Sequence, residues 1–170
     1  MLNMLETKHI TSPTPYASSS DFCRIFYEDV DELYQLSFLL TGEHEKAEQC
    51  FVSGLESSVK GNRVFKAWAR SWARRAIIQC AVRVINPRPM GEGRSSSNRS
   101  GNTLVEQGEI AAILELRPFE RFVYVMSVLE RYSDQDCSVL LGCTRQDVIS
   151  ARFRALQQIE VQRNFSLSAR

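Results

Sequence analysis

The stretch "YSDQDCSVLLGCTRQDVISARFRALQQI", residues 132–159, decides how this chain folds. It contains two helix-start signatures, Ser133 with Asp136 and Thr144 with Asp147. In each, a hydroxyl can take an orphan amide of the first helical turn, and an acid three residues on suits the positive end of the helix dipole. The helices are therefore expected to begin at Asp134 and Arg145. Gly142 follows Leu140 and Leu141, where ending a helix calls for a residue that tolerates positive φ. Cys137, Leu140 and Leu141 form the apolar stripe of the first helix, and Val148, Ala151, Ala155 and Ile159 that of the second. Small Ser138 falls where the two would cross closely. A short helix, a tight turn and a longer helix at this spacing predict a helix-turn-helix, the arrangement that seats a recognition helix in the DNA major groove.

Outward from this stretch the pattern stays helical. In "LRPFERFVYVMSVLERY", residues 116–132, Phe119, Phe122, Val123, Met126 and Leu129 make a core stripe, and a helix around Val105 to Leu114 precedes it. The segment "NPRPMGEGRSSSNRSGNT", residues 86–103, reads as a linker: Pro87 and Pro89 end a helix, and Gly, Ser and Asn bury too little to order the rest. Before it, "RVFKAWARSWARRAIIQCAVRVI", residues 63–85, is long enough for roughly six helical turns. Phe65, Trp68, Trp72, Ile77 (or Ala76) and Val84 are its core stripe, and the helical spacing alone places both Trp residues inside. A further helical section starts at Asp21, carries Phe22, Ile25, Phe26, Val30, Leu33, Leu36, Leu39 and Leu40, and stops at Thr41 or Gly42. The next helix is patterned by Ala47, Cys50, Phe51 and Leu55 and broken by "KGN" at 60–62. No segment alternates with period two for long enough to be a strand. The expected fold is all-α, with two small helical domains at 21–86 and 104–162. A flexible linker over 87–103 joins them, and loose tails occupy 1–20 and 163–170.

The formal net charge of +1 conceals an asymmetry. Up to Val59 there are ten acids against Lys8, Arg24 and Lys46; from Lys60 to Gly101 there are ten bases against Glu92 alone. An acidic and a basic block either serve two different partners, the basic one a polyanion, or are solvated faces that neutralise each other. The cysteines are Cys23, Cys50, Cys80, Cys137 and Cys143, with no CxxC pair and no His at ligand spacing. They read as reduced, small apolar residues of a cytoplasmic protein, with no metal site and no cofactor. No apolar run reaches the ~18 residues of a membrane span, and the N-terminus lacks a secretory pattern. The chain has no GxSxG, P-loop or HExxH, and its two His residues offer little for acid–base chemistry, so an enzyme is not expected.

The segment "LELRPFERFVYVMSVLERYSDQDCSVLLGCTRQDVISARFRAL" resembles region four of the extracytoplasmic-function sigma factors, and "LYQLSFLLTGEHEKAEQCF" with "FKAWARSWARRAII" resembles their region two. The likeness covers about residues 30–160, in order, with the linker in the corresponding place. It implies a transcription-initiation protein that binds core RNA polymerase through region two and reads promoter DNA with both regions; it also admits an anti-sigma partner. By position, Arg145, Gln146 and Ser150 would face bases, with Arg152 and Arg154 near the backbone. Lys66, Arg70, Arg74 and Arg75, at three- and four-residue spacings, would form a basic face for a strand backbone and unstacked bases. Glu48 and Gln49 lie in the polymerase-contact helix, where the sequence departs from the family at Gln49, Val52 and Ser53. In the second helix of the motif, Ile149 and Phe153 replace the family's usual polar residues, and Arg152 stands where an apolar core residue is usual. Two alternatives stand beside a sigma factor: a sigma-like DNA-binding regulator that no longer docks on polymerase, and a protein-interaction module using Ile149, Phe153 and Leu156.

Overall fold

The helices of the N-terminal half are set by their ends. The computed structural model describes residues 15–61, 63–89 and 107–168. Helix α1 (Ser19–Glu28) is opened by a capping box in which Ser18 and Asp21 each accept from the other's backbone amide. Helix α2 (Val30–Thr41) follows after Asp29, whose backbone (φ −105°, ψ 24°) leaves the helical region, and it ends at Gly42 in the left-handed conformation. Sequence periodicity ran through this break, and it costs one expected core residue: Val30 is exposed. Helix α3 (His44–Lys60) and helix α4 (Ala69–Ile85) pack tightly, since a Cβ on Gly54 would meet Ile77 Cγ1 at 2.7 Å. Any side chain there would force the two helices apart.

Helix α4 is shorter than the expected six turns. Residues 15–17 pair antiparallel with residues 64–66, through Ala17 N–H to Val64 O at 2.7 Å and Lys66 N–H to Pro15 O at 2.9 Å. That pairing holds the start of the segment extended, and only a 3₁₀ turn (Lys66–Trp68) leads into the helix. The helical register therefore does not reach Phe65 or Trp68, and both are exposed instead of lying in the core. Trp72 packs half-buried on the core, and Ala76 and Ile77 are buried as the stripe requires. Asn86 closes α4 at φ 50°, just before Pro87.

The C-terminal half comprises α5 (Gln107–Glu115), α6 (Pro118–Tyr124), a π-helical turn (Val125–Leu129), α7 (Asp134–Leu141) and α8 (Arg145–Ser168). Pro118 starts α6 where its missing N–H costs nothing. Phe119, Phe122, Val123 and Met126 are buried, while Leu129, swung out by the wider π turn, is exposed. The all-α class is as expected; among the described residues the only β feature is the isolated Tyr16–Phe65 bridge.

The two helical groups also touch. Helix α2 packs against α5 and α6, α4 against α7, and one hydrophobic core runs from Phe22 to Ile159. At this junction Arg121, 8% exposed, donates to Leu40 O (3.2 Å), Thr41 O (3.3 Å) and Leu114 O (3.2 Å). A cation here meets the carbonyl-rich, negative ends of α2 and α5 together. Most of the expected linker, and residues 1–14 of the expected N-terminal tail, lie outside the described residues; residues 15–20 are not a loose tail but pair, cap and enter α1, and residues 163–168, also expected loose, continue α8.

Candidate nucleic-acid interface

Helix α7 begins at Asp134 and α8 at Arg145, where the capping signatures place them. Asp136 N–H donates to Ser133 Oγ at 3.1 Å. At the second start the box is complete: Asp147 N–H donates to Thr144 Oγ1 (3.1 Å) and Thr144 N–H to Asp147 Oδ2 (3.0 Å). The Thr144 hydrogen bonds hold the Asp147 carboxyl below its usual value. Gly142 (φ 63°) makes the turn, and Cys143 N–H reaches back to Ser138 O at 3.1 Å. Cys137, Ser138, Leu141, Val148, Ala151, Ala155 and Ile159 are buried between the helices and their support, with Leu140 at the edge. The small residues of α8 let it approach closely, so its first turns are rigidly seated.

What that seating leaves outside is the leading end. Arg145 and Gln146 are exposed and Ser150 is half-buried, in a helix whose N-terminal amides point outward. Arg152, half-buried, and Arg154, exposed, are each engaged by an acid of the molecule itself. Arg152 grips Asp134 with both terminal nitrogens, tying α8 to the first turn of α7. This explains a charge where an apolar residue is usual: the acid of the α7 first turn is its partner. Arg154 Nε donates to Glu120 Oε1 at 2.7 Å. Glu120 is 2% exposed and also accepts from Arg117. Burial pushes its carboxyl upward, but hydrogen bonds and charge from Arg117 and Arg154 outweigh that and hold it below the usual range. Glu120 carried no sequence signal, because a lone Glu in an amphipathic helix reads as surface.

The cations of the 3₁₀ turn and of α4 meet acids of the molecule's own surface. Lys66 pairs with Asp21 at 3.7 Å. Arg70 holds Glu28 at 2.6 Å and Asp29. Arg74 holds Glu130 at 2.8 Å and Glu32. Asp21, Glu28, Asp29 and Glu32 of the acidic block thus lie along these cations and pair with them. Arg75 is half-buried and close enough to Tyr132 to pull against the rise that burial imposes on its phenol. Aromatic surface is present nearby: Tyr16 stacks on Phe65 (centroids 4.8 Å), Phe65 meets Trp68 edge-on (5.3 Å), and the Arg63 guanidinium lies 5.8 Å from the Tyr16 ring.

Glu48 and Gln49 are exposed on α3 beside buried Ala47 and Cys50. Ile149, Phe153 and Leu156 form an exposed apolar line on α8, with Phe153 at 67%. All five cysteines are free. Burial pushes the Cys50 thiol up to about 12 and the Cys137 thiol up to about 11, which suits packing and not nucleophilic chemistry. Among the described residues no group of three metal-binding side chains comes together, and no helix is long and apolar enough to cross a membrane. Compared with known proteins, the chain matches no family model and no curated protein.

Proposed function

We propose that this chain is a sigma-like transcription protein that recognises duplex promoter DNA with the leading turn of α8. The observation that carries this reading is the contrast within α8. Its body is fixed by buried Val148, Ala151, Ala155 and Ile159, while Arg145 and Gln146 stand free at a capped N-terminus. Arg suits the two acceptors of guanine and Gln those of adenine, and the outward amides suit a phosphate. Arg152 and Arg154 act as positioning residues that fix the angle of the helix through Asp134 and Glu120. Core RNA polymerase is the second partner, met through the exposed Glu48 and Gln49 side of α3.

Selection from a random duplex pool, followed by affinity measurement on the enriched duplex, tests the DNA reading. Wild-type protein enriches a sequence, and Arg145→Ala loses about 1–3 kcal/mol of discrimination for it. Failure to enrich any duplex at modest salt ends the reading. A pull-down of core polymerase with the purified chain separates a sigma factor from a regulator that acts without polymerase.

One observation favours a second reading, a protein-docking module. Phe153 is the most exposed residue of the Ile149, Phe153 and Leu156 line, and an apolar line of this kind fits a partner's groove. On that reading Phe153→Asp abolishes a complex and leaves the fold intact, whereas the DNA reading predicts only a small change in duplex affinity.

A further inference from the structure

The π-helical turn Val125–Leu129 is the least regular helical segment of the C-terminal half. Glu130 N–H donates to Val125 O, and Tyr132 N–H to Met126 O, both at 2.9 Å, so the chain is wound wider than an α-helix here. Immediately after it, Arg131 adopts φ 58°. A left-handed conformation is unfavourable for a residue with a Cβ, and such strain persists only where the surroundings fix it. The effect of this wide, strained turn is specific. It aims Glu130, its side chain only 15% exposed, across the junction at Arg74 on α4.

Arg74 is therefore held from both sides. Glu32 of α2 reaches it from the N-terminal group and Glu130 from the C-terminal group. The two acids are unequal, for Glu32 is 67% exposed and Glu130 largely enclosed. Beneath the triad is a crevice of about 180 Å³ floored by Leu36, Leu39 and Val125, so the contact is not backed by continuous packing. A carboxylate pair on a guanidinium occupies the donors that a phosphate would take.

We propose that the turn from Val125 to Arg131 is an autoinhibitory latch. It presents Glu130 as an internal stand-in for a phosphate, masking Arg74 and holding the C-terminal helical group against the basic face of α4. Release of Glu130 leaves Arg74 held only by the exposed Glu32, a pair that a nucleic-acid strand can displace; that consequence, and not the latch itself, rests on the DNA-binding reading above. The strain at Arg131 makes the closed state less stable than a relaxed turn would be, which leaves it open to competition by a polyanion.

The test uses the full chain, Glu130→Gln and Arg131→Gly, with two readouts. The first is modification of Arg74 by phenylglyoxal, mapped by mass spectrometry. The second is the salt dependence of binding to a short fluorescein-labelled DNA single strand. Glu130→Gln raises Arg74 modification several-fold and steepens the slope of log affinity against log salt by about 0.7, one phosphate contact on a single strand. Arg131→Gly relaxes the turn, strengthens the latch and lowers Arg74 modification below wild type. Arg74 modification unchanged in Glu130→Gln, or raised in Arg131→Gly, overturns the latch. Modification that rises in Glu130→Gln with no strand binding by either protein supports the latch and overturns the nucleic-acid reading of the α4 face.

Discussion

The basic face of α4 and the leading turn of α8 both carry arginines, and the two sets meet opposite fates. Lys66, in the turn before α4, and Arg70 and Arg74 on it are each matched to acids of the molecule's own surface. On α8, Arg152 and Arg154 are likewise engaged, by Asp134 and Glu120, and Arg145 is left exposed at the tip. A cation's place in a helix therefore says little about its role; the acid that folding brings opposite it decides. Cations that meet an acid hold the fold in position, and the one left exposed is the candidate for a partner.

That division has measurable consequences, because removing an internally used cation should cost stability and removing the exposed one should not. Arg121→Ala carries the largest expected loss, about 3 kcal/mol, since it orphans buried carbonyls at the ends of two helices. Urea denaturation measures it, and a loss below about 1 kcal/mol would mean that water replaces the guanidinium freely. Glu120→Gln is expected to cost about 2 kcal/mol at neutral pH, by breaking the tie between α6 and α8. The folded Glu120 carboxyl titrates below its ordinary value, so the stability it contributes is present above that value and lost as pH falls through the folded one. The gap in melting temperature between wild type and Glu120→Gln should therefore narrow as pH falls below the ordinary glutamate range and close below the folded value.

Arg70→Ala is expected to cost less, about 0.5 kcal/mol, because Arg70 and Glu28 face water and salt screens them, although Asp29 is more enclosed. If the α4 cations were instead reserved for DNA, the same substitution would leave stability unchanged and cut duplex affinity. Smallest of all is the stability change of Arg145→Ala, within about 0.5 kcal/mol, as for surface residues without partners. A larger loss would show that the tip of α8 is part of the scaffold.

Much of the helix-turn-helix was legible in the sequence because short-range chemistry sets it. Ser133, Gly142 and Thr144 act within one turn of themselves, and the apolar positions of α7 and α8 follow helical spacing. What sequence misplaced depends on distant partners. Trp68 and Phe65 leave the core because residues 15–17 hold residues 64–66 extended, a pairing across nearly fifty positions that no local pattern records. Leu129 leaves it because the turn there is π and not α. The pairing of Lys66, Arg70 and Arg74 with Asp21, Glu28, Asp29 and Glu32 follows from the packing of α1 and α2 against α4, which the charge pattern alone does not record. Arg121 gave no signal, since only the meeting of the α2 and α5 ends makes its burial favourable.

On the function proposed above, the exposed leading turn of α8 reads duplex DNA while Arg152 and Arg154 position the helix. Anisotropy titration of the enriched duplex and a scrambled duplex, with wild type, Arg145→Ala and Arg152→Ala, tests it most directly. Arg145→Ala should remove the preference for the enriched duplex, at a cost of about 10- to 100-fold, and leave scrambled binding nearly unchanged. Arg152→Ala should lower stability first and preference only modestly. A preference that survives Arg145→Ala intact would contradict the claim.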